Sequence, residues 1–337
     1  MKVLRIVIII SIFFFLISCN NNSEYVSNAG FIHGTIYHIT YESKKDVDLK
    51  KEIEKCMHDF DTSLSTYDPN SIISRVNSND TNVVLDYYFK TVFKKANEVS
   101  EKTQGAFDIT VAPLVNAWGF GFEKINNVDS AFIDSILQYV GYQKVELSNN
   151  KIIKQNPNIK LDANAIAKGY SVDVVCDFLN KKEIENYLVE IGGEIRAKGV
   201  NKNNEIWRIG IDKPIEDTTL SSREIEDIVY LKNQAVATSG NYRQFYIKDG
   251  IKYSHTVNPK TGFPVTHSLL SASVFADDCM TADAYATAFM VLGLEKSIAI
   301  VKSNPKLEAY FIYSNKKGEF KNYYTHNIKK KIVGLNN

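Results

Sequence analysis

The sequence predicts an α+β fold, in one large domain or two moderate ones. Three observations point there. Strand patterns outnumber helical ones and do not alternate regularly with them, which disfavours a doubly wound parallel sheet. No GxGxxG follows a strand and no GxxxxGK[ST] occurs, so the usual phosphate-cradling loops of α/β nucleotide folds are absent. The chain has 337 residues, 44% of them hydrophobic and 23% charged. A domain of that size buries about 75% of the surface its unfolded chain exposes, so neither metal nor disulfides are needed to hold it together. No repeat, low-complexity block or Pro/Gly-rich linker divides it.

The elements follow in chain order. Residues 32–41 alternate and are rich in β-branched and aromatic side chains, the pattern of a strand. Residues 48–62 carry Leu49, Ile53, Cys56, Met57 and Phe60 at helical spacing, and amphipathic helices follow at 88–103 and 130–140. Residues 145–153 and 158–161 read as strands. Residues 166–179 form a helix with Ile166, Tyr170, Val174 and Phe178 on one face. From Tyr187 strands broken by turns follow at 187–191, 194–199, 207–211, 226–231, 235–238, 242–248 and 271–275. Helices at 280–292 and 295–303 and a closing hairpin within 309–324 complete the chain.

The first nineteen residues have a separate logic. Lys2 and Arg5 precede an apolar run from Ile6 to Ile17, and Leu16-Ile17-Ser18-Cys19 follows at once. The run is short for a spanning helix, which needs about 20 residues. It ends as a lipoprotein export signal does. The expected organisation is a signal peptide over 1–18, a lipidated Cys19 with a tether over 19–30, and a catalytic domain over 31–330. Two or three acyl chains on Cys19 anchor stably where one would not, so the expected location is outside the cytoplasm, lipid-anchored to a bacterial inner or outer membrane. Lys and Arg number 40 against 39 Asp and Glu. Loss of Lys2 and Arg5 turns +1 into −1, a balance that offers no basic field for nucleic acid. Cys56, Cys176 and Cys279 remain, an odd number without CxxC spacing, and read as buried small hydrophobes.

Several polar clusters exceed what a scaffold demands. Leu161-Asp162-Ala163-Asn164-Ala165-Ile166-Ala167-Lys168-Gly169-Tyr170 runs from a strand through small residues into a helix start. Free amides, the helix dipole and Lys168 suit a diphosphate there, while Asp162 or Asn164 equally suits a plain helix cap. Asp283 and Thr287 stand at i and i+4 on one helix face. A carboxylate and a hydroxyl so placed suit Mg²⁺, which takes a few hard oxygens and leaves other positions to phosphate and water. The same Thr also serves ordinary back-bonding to a helix carbonyl. His255 lies where a strand exits into the turn-rich loop 255–264, a position for a base near neutrality or for an ordinary hydrogen-bonded histidine. Gly105-Ala106-Phe107-Asp108, Trp118-Gly119-Phe120-Gly121, Gly192-Gly193-Glu194 and Ala237 to Arg243 add glycines beside aromatics and single acids, as tight turns around a planar ligand require.

In order and spacing these blocks resemble one family. The stretch from Gly34-Thr35 to Gly293, including Ser65-Thr66-Tyr67 and Ser71 to Asn77, is similar to the ApbE family, the FAD:protein FMN transferases, formerly called thiamine biosynthesis lipoproteins. The resemblance implies a mixed-sheet ApbE, T-fold-like architecture, one large catalytic domain of two closely packed lobes. It also implies Mg²⁺-dependent transfer of FMN from FAD to a Thr or Ser hydroxyl of an exported or membrane flavoprotein, such as an Nqr/Rnf-type redox subunit, with AMP leaving. By similarity Asp283, Thr287 and the main-chain carbonyl of Ala165 bind the metal, and Lys168 faces the phosphates. Asp162 and Ala106, Phe107 and Asp108 hold adenosine or ribityl portions, Tyr67 flanks a ring, and Val257 supplies main-chain or packing contact. His255 and Asp283 are the catalytic candidates. His33 stands where the family usually has Met, and Asn258 where it usually has Asp. Two alternatives share these residues: a lipoprotein that only binds FAD, and a pyrophosphatase that splits FAD to FMN and AMP.

Overall fold

The computed structural model describes residues 23–44, 47–121, 128–215, 224–241, 245–248 and 251–333. The expected signal peptide, Cys19 and the Tyr242-Arg243 end of one motif lie outside them. In order the chain forms β1 (Ser23–Ile32), β2 (Thr35–Lys44), α1 (Lys50–Leu64), α2 (Ile72–Asn77), α3 (Tyr87–Lys102), α4 (Ala112–Ala117) and α5 (Ser130–Leu137). Next come the hairpin β3 (Val145–Ser148) and β4 (Lys151–Lys154), α6 (Ala167–Lys181), β5 (Tyr187–Ile191), β6 (Glu194–Lys198), β7 (Trp207–Asp212), β8 (Ile225–Leu231) and β9 (Gln234–Gly240). The chain finishes with β10 (Phe245–Lys248), β11 (Ile251–Ser254), β12 (Leu269–Ala276), α7 (Cys279–Leu292), α8 (Leu294–Ser303), β13 (Glu308–Ser314), β14 (Phe320–Tyr324) and α9 (His326–Lys331).

Eight strands form one sheet in the order β1-β2-β5-β6-β9-β12-β13-β14. The class is α+β, and the expectation of a mixed sheet is corrected: every pairing in this sheet is antiparallel. Because side chains alternate across a strand, each strand feeds two layers. On β12, Ala272 and Val274 pack with α7 through Phe289, while Phe275 faces the opposite layer with Trp207 and Ile209 of β7 and Ile328 of α9. One face of the sheet is thus covered by α6 and α7, the other by the β7–β8 hairpin and α9.

α7 is buried almost all round, which fits its run of Ala, Met and Phe between the sheet and α6. Its first turn is closed by two acids. Asp278 accepts from the Thr281 amide at 2.8 Å, and Asp173 of α6 accepts from the Cys279 and Met280 amides at 3.0 and 2.8 Å. Arg196 of β6 donates to the same Asp173 carboxylate at 2.7 Å. Burial pushes the Asp173 carboxyl up to about 6 against the pull of Arg196 and the two amides. This network ties α6, α7 and β6 together, and removing one member of such a buried pair generally costs about 3–5 kcal/mol.

Three local expectations are corrected. Residues 23–30, expected within the tether, belong to β1 and pair with β2 along their whole length. Tyr25 packs towards one core layer and Val26 towards the other, so no polar–apolar alternation betrays the strand. The strand expected to start at Ile32 begins at Thr35, because His33 (φ 50) and Gly34 (φ 73) form a two-residue hairpin turn. The single strand expected over 145–153 is the β3–β4 hairpin, folded at Asn149 and Asn150, both at positive φ.

Candidate active site

The site is built where α6 crosses α7. A Cβ on Gly169 would sit 2.4 Å from the Cys279 carbonyl oxygen and 2.7 Å from the Asp283 Cβ, so the helices meet backbone to backbone and only glycine fits. Close approach lets the Gly169 amide donate to Asp283 Oδ2 at 2.9 Å. One residue earlier, the Lys168 ammonium is 2.5 Å from Oε1 of Glu194, the first residue of β6. Lys168, Glu194 and Asp283 therefore form one cluster contributed by α6, β6 and α7, its two acids buried and the Lys168 side chain 35% exposed.

The electrostatics of the cluster follow from burial. Asp283 is 3% exposed on an otherwise apolar helix. Desolvation raises its pKa while Lys168 and the Gly169 amide pull it down. Burial pushes the Glu194 carboxyl up, opposed by Lys168 and reinforced by Asp283. Burial alone would lower Lys168, but Glu194 and Asp283 outweigh it and hold the ammonium charged. One cation against two acids leaves the cluster an excess of negative charge when all three ionise.

The donors present fit Mg²⁺. Thr287, one turn beyond Asp283 on the same helix, has its hydroxyl 3.3 Å from Ser239 Oγ of β9. The Gly169 amide, four residues on from Ala165, is turned to Asp283, and among the described residues no main-chain N–H is paired to the Ala165 carbonyl. A buried carboxylate, a hydroxyl and an unpaired carbonyl are hard oxygens of the kind Mg²⁺ takes. The Glu194 Oε2 atom, buried and without a hydrogen-bond partner, adds an orphaned negative oxygen beside them. Neither Asp162 nor Asn164 caps α6, whose N-cap, Ile166, makes no side-chain cap. Asp162 instead accepts the Asn164 amide at 2.7 Å in a local turn.

Blocks distant in sequence meet around this centre. The Asp162 amide donates to the Ile109 carbonyl at 2.7 Å, joining the helix entry to the Ala106–Asp108 segment. Asn77, at the end of α2, holds Leu161 by both its amide and its carbonyl, at 2.7 and 2.9 Å. The strand expected over 158–161 is thus replaced by a segment pinned by a side chain. Ala106, Phe107 and Asp108 are themselves buried, Phe107 in the main core. Asp108 spends one oxygen on Thr110 and the other on the Tyr142 amide, so it braces two loops. A cleft of about 330 Å³ opens beside it, lined by Gly105, Asp108, Gly141, Tyr142, Pro259 and Lys260. A larger open cleft of about 470 Å³ lies by Tyr25, Glu42 and Asn186 and shares no residue with these blocks. Tyr67, 77% exposed on the loop before α2, presents its ring to solvent.

The 255–264 loop is held by Trp118, whose indole N–H donates to the Gly262 carbonyl at 2.7 Å. Val257 is buried with Leu114, Ala117 and Trp118 in a small separate core, bridged to Pro264. Its side chain is packing, which leaves its main chain as the part able to face a ligand. His255 is half-buried with its ring edge-on to Phe120 at 6.3 Å. It enters from the loop after β11, whereas Asp283 comes from within α7.

Three residues carry more than their motifs suggested. Glu194 was visible only as the end of a Gly-Gly-acid turn, and its pairing with Lys168 spans 26 residues. Gly169 looked like an ordinary helix glycine, although glycine in a helix interior is itself a signal of close packing. Lys260 lies within the singled-out loop, and only the fold brings it to the Asp108 cleft.

Comparison with known proteins bears on the family and the fold. A family model described as the ApbE family matches residues 33–311. The chain is 37% identical over 297 residues to the FAD:protein FMN transferase of Vibrio cholerae, covering 86% of this chain and 88% of that protein. It is 35% identical over 331 residues to the Haemophilus influenzae protein of the same name, 94% of each. Among solved structures, the flavin transferase ApbE from Vibrio cholerae superposes with a TM-score of 0.82 at 36% identity, covering 92% of this chain and 99% of that one. The apo form of the Pseudomonas stutzeri flavinyl transferase ApbE superposes with a TM-score of 0.80 at 31% identity, covering 92% and 97%.

Proposed function

This chain belongs to the ApbE family, and from that premise we propose its reaction in full: as an FAD:protein FMN transferase it moves FMN from FAD to a Ser or Thr hydroxyl of an exported or membrane flavoprotein, with Mg²⁺, releasing AMP. The observation that carries the reading is the cluster of Lys168 with the buried acids Glu194 and Asp283 at the crossing of α6 and α7.

The chemistry needs little covalent participation from the protein. The acceptor oxygen attacks the phosphorus on the FMN side of the diphosphate, the bond to the bridging oxygen breaks, and AMP leaves with that oxygen. The protein's work is positioning and charge neutralisation. Lys168 neutralises phosphate oxygens. Asp283, Thr287 and the Ala165 carbonyl would hold Mg²⁺, which when bound polarises the phosphoryl oxygens as a Lewis acid. Tyr67 offers a ring to stack on, and the loops braced by Asp108 and Asp162 border the nucleotide. His255 takes the proton of the acceptor hydroxyl or orients it, with Asp283 the other group placed to do so.

Incubating the protein with FAD, Mg²⁺ and a Ser/Thr-containing acceptor peptide should leave FMN covalently on the peptide and free AMP in equal amount, read by mass spectrometry and chromatography. Tight FAD binding without AMP release would replace the transferase by a binder. FMN and AMP released with the peptide unmodified would replace it by a pyrophosphatase.

We read Cys19 as the lipid-bearing residue that holds the enzyme outside the cytoplasm on a bacterial inner or outer membrane, facing the periplasm or the cell exterior. The expected result is an N-terminal peptide that begins at Cys19 and carries the mass of a diacylglyceryl group. An N-terminal peptide that retains residues 1–18 would overturn the anchor.

A further inference from the structure

We propose that Glu194 is a positioning residue of the metal–diphosphate site, its Oε1 anchoring Lys168 and its Oε2 accepting a hydrogen bond from a water carried by the divalent cation. This rests on the Mg²⁺ reading above and extends it to a residue outside the Asp283, Thr287 and Ala165 set.

Glu194 is 3% exposed. Its Oε1 is 2.5 Å from the Lys168 ammonium. Its Oε2 is buried and receives no hydrogen bond, the one carboxylate oxygen in that condition among the described residues. Buried acceptors are almost always paired, and an unpaired charged one is costly enough to call for a donor. The backbone that carries this carboxylate is pinned. Glu194 pairs with Ile191 across a hairpin whose turn residues, Gly192 and Gly193, sit at φ 63 and 101. The Gly193 amide is held by Glu190 at 2.7 Å.

A direct bond from Glu194 to the metal is disfavoured by the ammonium already lodged on its other oxygen. A contact through water is not. Mg²⁺ gives up its waters reluctantly and keeps several when only one or two carboxylates bind it. A buried acceptor beside Asp283 supplies such a water with the partner it needs. Partners of this outer kind fix the orientation of what binds the metal, and losing one typically costs about 10–100-fold in affinity.

The test is metal binding by the full chain without FAD, measured by Mg²⁺ calorimetry and by water-proton relaxation with Mn²⁺. Glu194→Gln keeps an oxygen for Lys168 but turns an NH₂ group towards the water, two donors facing each other. We expect this variant to bind either ion about 10–100-fold more weakly than the parent. Glu194→Asp keeps two acceptor oxygens, although one methylene shorter, and should lose less affinity than Glu194→Gln. Parent-like binding by Glu194→Gln overturns the proposal, as does an equal loss in both variants, which would trace the effect to Lys168 alone. A parent chain that binds neither ion overturns the Mg²⁺ reading itself and is distinguishable by that result. Should Glu194→Gln not fold, Glu194→Ala in the same titration takes its place.

Discussion

Asp283→Ala is expected to abolish the proposed Mg²⁺-dependent transfer and to leave the fold intact. The carboxylate is the single charged oxygen among the three proposed metal donors, so its loss removes most of what holds a dication against Lys168 nearby. A preorganised charge aimed at the reacting phosphate is generally worth about 10²–10³-fold in rate, and a metal that both neutralises and templates is worth at least as much. The structure also gives the reason to expect that the variant folds. The Gly169 amide, now bonded to Asp283 at 2.9 Å, can return to the Ala165 carbonyl four residues back as an ordinary helix bond. Lys168 keeps Glu194 as its partner. Initial rates of FMN transfer across a Mg²⁺ series, with thermal unfolding as the control, decide the matter. Full activity in Asp283→Ala would remove this residue from the metal site. Rescue by a large Mg²⁺ excess would leave it a bystander to the bond-breaking step.

The parts of the site that were legible in the sequence are local ones. Asp283 and Thr287 are one helical turn apart, and a turn is the one distance that periodicity reports. The long helices at 48–62, 88–103 and 280–292 likewise emerged within a few residues of their observed bounds, because apolar spacing repeats many times in each. What stayed hidden depends on pairings between distant segments. Gly169 meets Asp283 across 114 positions and Lys168 meets Glu194 across 26. No local pattern encodes either contact. Turns were missed where the left-handed residues were not the Asn-Gly or Asp-Gly pairs that announce a hairpin: His33-Gly34 and Asn149-Asn150 both adopt positive φ. Leu161 looked like strand because its apolar neighbours alternate, yet its ladder partner is the side chain of Asn77. His33 illustrates the reverse case, a residue conspicuous as a departure from the family pattern. Its two nitrogens bond Asp61 at 2.6 Å and Ser171 at 2.7 Å, so it links the β1–β2 turn to α1 and α6.

Gly169→Ala should lose both stability and rate, against the usual sign of that exchange. In an exposed helix interior, alanine is favoured over glycine by about 1 kcal/mol. At this position the added methyl would lie 2.4 Å from the Cys279 carbonyl oxygen and 2.7 Å from the Asp283 Cβ. The first of these is backbone in the buried opening turn of α7, whose amides are fastened by Asp173 and Asp278. It cannot rotate aside as a side-chain tip would, so the helices must separate. Overpacking of a rigid contact costs about 1–3 kcal/mol, enough to cancel the propensity gain and reverse it. Separation also pulls Lys168 and the Ala165 carbonyl, carried at the start of α6, away from Asp283 and Thr287 on α7. A misplacement of about 1 Å in a catalytic constellation can cost about 10²-fold in rate. Chemical unfolding and steady-state transfer kinetics on the same preparation should therefore show a lowered midpoint and a kcat reduced by about that factor. A variant as stable and as fast as the parent would mean that α6 and α7 do not need their backbone contact, and the site would have to be held by other elements.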